Sequence, residues 1–286
     1  MINDAHVHFF SPMFFSTLGG QPATLGWEDP VSADALADKW DAELDRHGVD
    51  RAAIIASVPG DEASVAAALA RHPSRFVGFF MVDPTREDAV DRVGRAFEQG
   101  LRGVCLFPAM QRYSIQDPRS LAVFERATAQ PGAVVFVHCG VLSVGARKKL
   151  GLPSPFDMRF GNPLDLHAVA LRFATLPIIV PHFGAGLFRE ALMLADMCAN
   201  VYLDTSSSNA WIRYTPGLTL ETVFKTATSV VGAERLLFGT DSSFFPRGWN
   251  RDVFETQQKA MQAAGLDAAS RSQVFQANFD RLFGSR

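Results

Sequence analysis

Cysteine is scarce in this chain: Cys105, Cys139 and Cys198 are the only three in 286 residues. An odd number, widely spaced and without a paired knuckle, gives neither a disulfide framework nor a thiolate zinc site, and suits a reducing compartment. Charge of one sign is not in excess either, since 27 Lys and Arg stand against 30 Asp and Glu for a formal net charge of −3. With no clustered basic block to neutralise a run of phosphates, the composition argues against a nucleic-acid partner. No secretory leader is visible, because Met1–Asp4 leads straight into a His-bearing segment without a basic stretch and an apolar run. A bilayer-spanning helix is missing as well: the longest stretch free of Asp, Glu, Lys and Arg, residues 5–27, carries His6, His8, Pro12, Gly19, Gly20 and Pro22. The expectation is a soluble, cytoplasmic protein that meets neither membrane nor nucleic acid.

What the chain does have is apolar material, 48% hydrophobic against 20% charged, ample for one large core. Apolar runs of strand length lie at 2–9, 51–57, 76–82, 101–107, 133–139, 178–183, 201–205 and 236–240. Helix-length segments follow them at 33–47, 63–71, 87–99, 120–129, 164–174, 187–198, 220–230 and 253–264. Eight strands each followed by a helix predict an α/β fold, a (β/α)8 TIM barrel, as one domain over residues 1–286. Links from helix to strand are short, whereas those at 10–32, 141–163, 206–219 and 241–251 are long. Long loops therefore crowd the carboxyl end of the strands, the end at which barrel enzymes build their sites.

Chemistry-bearing residues gather at that same end. His6 and His8 are two apart on the first strand, so both imidazoles share a face. His138, His182 and Asp241 close the apolar runs of strands five, six and eight. In a barrel all five face one mouth and can converge on a metal ion. His47, His72 and His167 sit at or within helices and are assigned structural roles; Cys139, beside His138, points to the opposite face of its strand. Strand four, residues 101–108, has no Lys or Glu to bridge a second ion, and every lysine falls in a helix or a loop, so one metal is expected rather than two.

The segments Asp4-Ala5-His6-Val7-His8, Val137-His138-Cys139-Gly140, Pro181-His182-Phe183-Gly184-Ala185-Gly186, Gly239-Thr240-Asp241-Ser242-Ser243 and Asn278-Phe279-Asp280-Arg281-Leu282-Phe283 together resemble the amidohydrolase superfamily. The resemblance is to its amidohydrolase-2 branch, which includes aminocarboxymuconate semialdehyde decarboxylase-like enzymes and lactone hydrolases; it covers essentially the whole chain. It implies that His6, His8, His138 and Asp241 hold one divalent ion, Zn or Mn, and that His182, with Asp241, handles the catalytic water. Such an ion brings the pKa of bound water from about 15.7 to about 7. The implied activity is hydrolysis of a small carboxylated lactone, ester or amide. Non-oxidative decarboxylation or hydration on the same metal site is the alternative, and a non-catalytic barrel that binds a small molecule is the third reading.

Substrate contacts fall to the long loops. Arg147, Arg159, Arg213 and Arg247 lie in or near them, with Tyr113, Trp211, Trp249 and Asn209. Arg247, six residues beyond Asp241, is the first choice for pairing a substrate carboxylate, followed by Trp249, Arg213 and Asn209. Phe9, Phe10, Phe14 and Phe15 would wall the pocket or cover an interface between copies of a homo-oligomer.

Overall fold

The computed structural model describes residues 1–19, 22–26, 28, 31–245 and 247–284; Gly20 of the apolar stretch and residues 285–286 of the expected domain lie outside these. The strands are β1 (Asn3–Phe9), β2 (Arg51–Ala56), β3 (Phe76–Val82), β4 (Gly103–Leu106), β5 (Val134–Val137), β6 (Ile178–Val180), β7 (Val201–Asp204) and β8 (Leu236–Leu237). They pair in parallel in sequence order. The seam between β8 and β1 is drawn together by single backbone bonds: Ala5 N–H to Phe238 O at 2.8 Å, Asp241 N–H to His6 O at 2.9 Å and His8 N–H to Ser242 O at 2.8 Å. The eighth expected strand, 236–240, is therefore a two-residue ladder continued by individual bonds, because its last residues already turn toward the mouth.

The helices are α1 (Pro12–Leu18), α2 (Ala33–His47), α3 (Glu62–Arg71), α4 (Ala89–Glu98), α5 (Pro108–Gln111), α6 (Pro118–Thr128), α7 (Gly145–Lys149), α8 (His167–Arg172), α9 (Phe188–Met197), α10 (Leu220–Val231), α11 (Arg251–Ala263), α12 (Ala268–Ser272) and α13 (Asn278–Phe283). Sequence signals set their ends. Ser32 caps α2 by accepting from Ala35 N–H, and Gly48 at φ 66° ends it in the left-handed conformation. The first long loop is not plain loop: Ser11 Oγ accepts from Phe14 N–H and Pro12 occupies the first helical position, so α1 forms inside it. No helix among the described residues is long and apolar enough to cross a membrane.

Alternation along the strands makes two cores. Val7, Phe9, Ile54, Phe80, Leu106 and Val137 face outward onto the helices, whereas Ala5, Ile55, Phe79, Cys105, Phe136 and Leu237 fill the barrel. Cys139 joins the outer layer, as expected. A register shift in β1 between Asp4 and Val7 puts Ala5 in the interior and leaves Asp4 bonded to Trp249, a member of the outer layer. At the amino end of the strands α13 plugs the barrel: Phe279 and Phe283 pack into the inner core, with Phe283 5.7 Å from Phe79. Only the carboxyl end is left open for chemistry.

Candidate active site

His6, His8, His138, His182 and Asp241 line one cavity of about 220 Å³ at the carboxyl mouth. Their rings touch: His6 lies 5.2 Å from His8 and 5.0 Å from His182, and His138 lies 5.2 Å from His182. His6, His182 and Asp241 form the tightest group, with ligand atoms all within 4.8 Å of one another, a set that could hold a metal ion.

Hydrogen bonds behind the rings decide which nitrogens face the cavity. Ser57 Oγ donates its one proton to Ile55 O at 2.9 Å, so at 2.7 Å it accepts from His8 Nδ1–H. His8 Nε2 is then bare, yet it faces Asp241 Oδ1 at 3.0 Å. Two lone-pair-bearing atoms at that distance need a proton or a cation between them, and the donor set suits a cation. His6 repeats the pattern: Nδ1 donates to Asp204 Oδ2 at 2.7 Å, and Nε2 points to Asp241 Oδ1 at 3.6 Å. Ser206 Oγ lies 3.0 Å from His6 Nδ1 and 2.8 Å from His182 Nδ1, and the Ser206 carbonyl accepts from His182 Nδ1–H at 3.3 Å. His138 Nδ1 is buried with no partner among the described residues.

Electrostatics agree with this arrangement. Burial pushes His138 well below the usual histidine range and likewise lowers His182, so both present neutral rings. Burial also works against a charged His6, but the Asp204 carboxylate outweighs it and raises the group. For Asp241 burial alone would raise the carboxyl; the neighbouring imidazoles of His8, His6 and His182 outweigh it and hold the group well below the carboxylate range. Asp4 is pushed up to about 6 by burial, opposed by hydrogen bonds from Thr240, His6 N–H and Trp249.

Backbone strain concentrates on the same residues. His182 (φ 56°), Phe183 (φ 52°), Ala185 (φ 44°) and Asp241 (φ 59°) are left-handed without being glycine. Where a side chain has no use, glycine permits the approach of loops instead: a Cβ on Gly140 would lie 2.1 Å from Gly184 O.

The four expected substrate contacts separate into two pairs. Arg247 is exposed on the wall of the main cavity, and Arg213 borders an adjoining cleft with His138, His182 and Asp241. Asn209 is instead buried and committed to its own loop, donating to Thr205 O and Ser207 O and accepting from Trp211 Nε1. Trp249 is buried behind β1, where its indole N–H donates to Asp4 Oδ2 at 2.7 Å. Both are placed as struts, because each polar atom they could offer is satisfied inside the fold. Arg147 and Arg159 bond to Pro153 O and Asp157, and Tyr113 is buried. The Phe-rich loop folds inward: Phe10 and Phe14 wall the cavity, and Phe15 packs beside them.

Asp204, Ser206, Ser57 and Lys149 belong to the site without having been singled out in the sequence. Asp204 had a signal, a carboxylate at the end of the seventh strand, the position that marks the other site residues. Ser57, Ser206 and Lys149 had none.

The family model described as amidohydrolase (Amidohydro_2) matches residues 3–285. No curated protein matches the chain. Among solved structures the chain is similar to 5-carboxyvanillate decarboxylase from Sphingomonas paucimobilis, at 16% identity and TM-score 0.67, covering 100% of this chain and 99% of that one. It is similar to an amidohydrolase from Burkholderia multivorans with bound Zn, at 16% identity and TM-score 0.69, covering 100% of both chains. It is also similar to 4-oxalomesaconate hydratase from Rhodopseudomonas palustris, at 15% identity and TM-score 0.64, covering 99% of this chain and 95% of that one. Three differently named activities on one barrel make this a likeness of fold. The match of one family model from residue 3 to residue 285 goes further, and by it the chain belongs to the amidohydrolase-2 family.

Proposed function

We propose that this protein is a mononuclear metal-dependent hydrolase of a small carboxylated lactone, ester or amide. The observation that carries the reading is the bare His8 Nε2 facing Asp241 Oδ1 at 3.0 Å, beside the His6–His182–Asp241 group. His6, His8, His138 and Asp241 would hold one Zn or Mn ion. Bound there, such an ion polarises a carbonyl and lowers the pKa of water to about 7. His182 supplies the proton traffic: Nδ1–H is held by the Ser206 carbonyl, which leaves Nε2 to accept a proton from water and return it to the leaving group. Asp204 fixes the His6 tautomer, and Ser57 fixes that of His8. Phe10, Phe14 and Phe107 present an apolar wall to a flat substrate body, and Arg247, with Arg213 on the adjoining cleft, pairs its carboxylate. The reading places the enzyme in the cytoplasm, where the buried, free Cys105, Cys139 and Cys198 stay reduced.

Decarboxylation is the second reading, favoured by the aromatic lining of the cavity and by the fold shared with a decarboxylase of 5-carboxyvanillate. Screening Zn- and Mn-loaded protein on carboxylated lactones, esters and aromatic acids, with acid release and CO₂ followed together, separates the two. Acid release with net uptake of water supports hydrolysis. CO₂ without it replaces hydrolysis by decarboxylation, and binding without either product makes the barrel a non-catalytic receptor.

A further inference from the structure

Four loops from distant parts of the chain meet above the cavity, Val58 standing for the one after β2. Phe10, Phe14 and Phe15 from the loop after β1, Ala146 from α7 and Phe245 from the loop after β8 form an apolar cluster separate from both barrel cores, with Val144 and Leu150 packed against it. Lys149 lies between Ala146 and Leu150 in sequence, and Arg247 lies two residues beyond Phe245. The cluster therefore acts as a clasp that brings one cation from the fifth loop and one from the eighth to the same rim. Both line the main cavity, and Asp241, at its histidine end, is the only carboxylate among its described lining residues. The same cavity thus carries a carboxylate and imidazoles together with two cationic side chains.

Burial and, next to it, the positive charge of Arg247 lower the Lys149 ammonium below its usual range. Like charges held on one rim repel each other, and an anion lying between them removes that repulsion while accepting hydrogen bonds from both. The guanidinium offers a planar fork and the ammonium a point charge, a pairing that suits a carboxylate seated edge-on to arginine and end-on to lysine.

We infer that Lys149 and Arg247 jointly grip a carboxylate of the substrate that is remote from the reacting carbonyl, with Lys149 as a specificity-determining residue. The inference rests on the hydrolase reading for its reaction but not for its binding. Substrates carrying such a remote carboxylate are selected over those of the same shape without it.

The test uses the full chain loaded with Zn and two inert probes, isophthalate and benzoate, titrated by calorimetry. Isophthalate carries two carboxylates on one ring; benzoate has only one. Isophthalate binds tighter than benzoate in the wild type, and K149Q and R247Q each weaken isophthalate by about tenfold, the scale of one charge-assisted contact. Benzoate changes by less than about twofold in K149Q, K149R keeps most of the preference, and added salt reduces it because the rim is exposed. An unchanged isophthalate-to-benzoate ratio in K149Q, or no isophthalate binding to the wild type, overturns the inference. Binding is read without turnover, so the two proposals fail separately. A Lys149-dependent preference in a protein that hydrolyses nothing leaves the grip standing and removes the hydrolase. Hydrolysis with a ratio indifferent to Lys149 does the reverse.

Discussion

The two ends of the barrel use the same backbone conformations with different residues. At the amino end, turns from helix to strand that need a left-handed residue have glycine, as at Gly48 (φ 66°) and Gly100 (φ 87°). At the carboxyl end glycines such as Gly140 and Gly184 are joined at left-handed positions by Arg112, His182, Phe183, Ala185, Ser207, Asn209 and Asp241, and every non-glycine residue with positive φ among those described follows the end of a strand. The amino end is also sealed by packing: Phe279 and Phe283 enter the barrel, the Arg51 guanidinium stacks 5.1 Å from the Phe279 ring, and Arg102 donates to Phe283 O at 3.2 Å. Left-handed strain on a residue with a side chain is confined to the end that holds the cavity, where it falls on His182 and Asp241 among others, while the turns of the amino end use glycine. One end is sealed by packing, and the other holds the polar cavity.

That division predicts effects of very different kinds. Stripping metal with a chelator should lower turnover by more than about three powers of ten, reversed by one equivalent of Zn or Mn, while far-ultraviolet circular dichroism stays unchanged. Full activity in demonstrably metal-free protein would break the assignment of chemistry to the carboxyl end. His182→Asn should cost about two to four powers of ten in kcat with metal retained by elemental analysis, the scale of a positioned acid–base group. Loss of metal together with activity would make His182 a ligand, as its place in the His6–His182–Asp241 group allows.

Phe279→Ala at the sealed end should destabilise by about 3–5 kcal/mol in denaturant unfolding and leave kcat/KM of the folded fraction nearly unchanged. A large drop in kcat/KM would show that the ends are coupled. Smallest are the backbone exchanges. Gly48→Ala should destabilise by about 1 kcal/mol, and Ala185→Gly should stabilise by a similar amount, because each moves a left-handed position between the two solutions. Equal signs for the pair would mean that neighbouring contacts, not φ, dominate at Ala185.

Much of this division is legible in the sequence. The α2 boundaries coincide with the expected 33–47, since Ser32 and Gly48 are local signals that act on their own helix. One rule, polar residues at the ends of apolar runs, singles out His6, His8, His138, His182 and Asp241, and they line one cavity. The features that local sequence does not fix share a cause. Trp249 and Asn209 carry the composition of substrate contacts, but whether an indole N–H meets a ligand or Asp4 depends on a β1 register shift and on a partner 245 positions away in sequence. Ser206 touches two histidines, 200 and 24 positions away, and no local pattern marks it.

The sequence by itself determined the alternation of strand and helix, the outward and inward faces of each strand, and the gathering of histidines and aspartate at one mouth. These follow from period-two and period-3.6 apolar patterns, which are local and repeated. Tertiary structure alone decided which nitrogen of each imidazole is bare, which arginines reach the cavity, and that Lys149 shares a rim with Arg247. Those outcomes depend on hydrogen bonds and apolar contacts between loops far apart in the chain, and such contacts exist only once the barrel has closed.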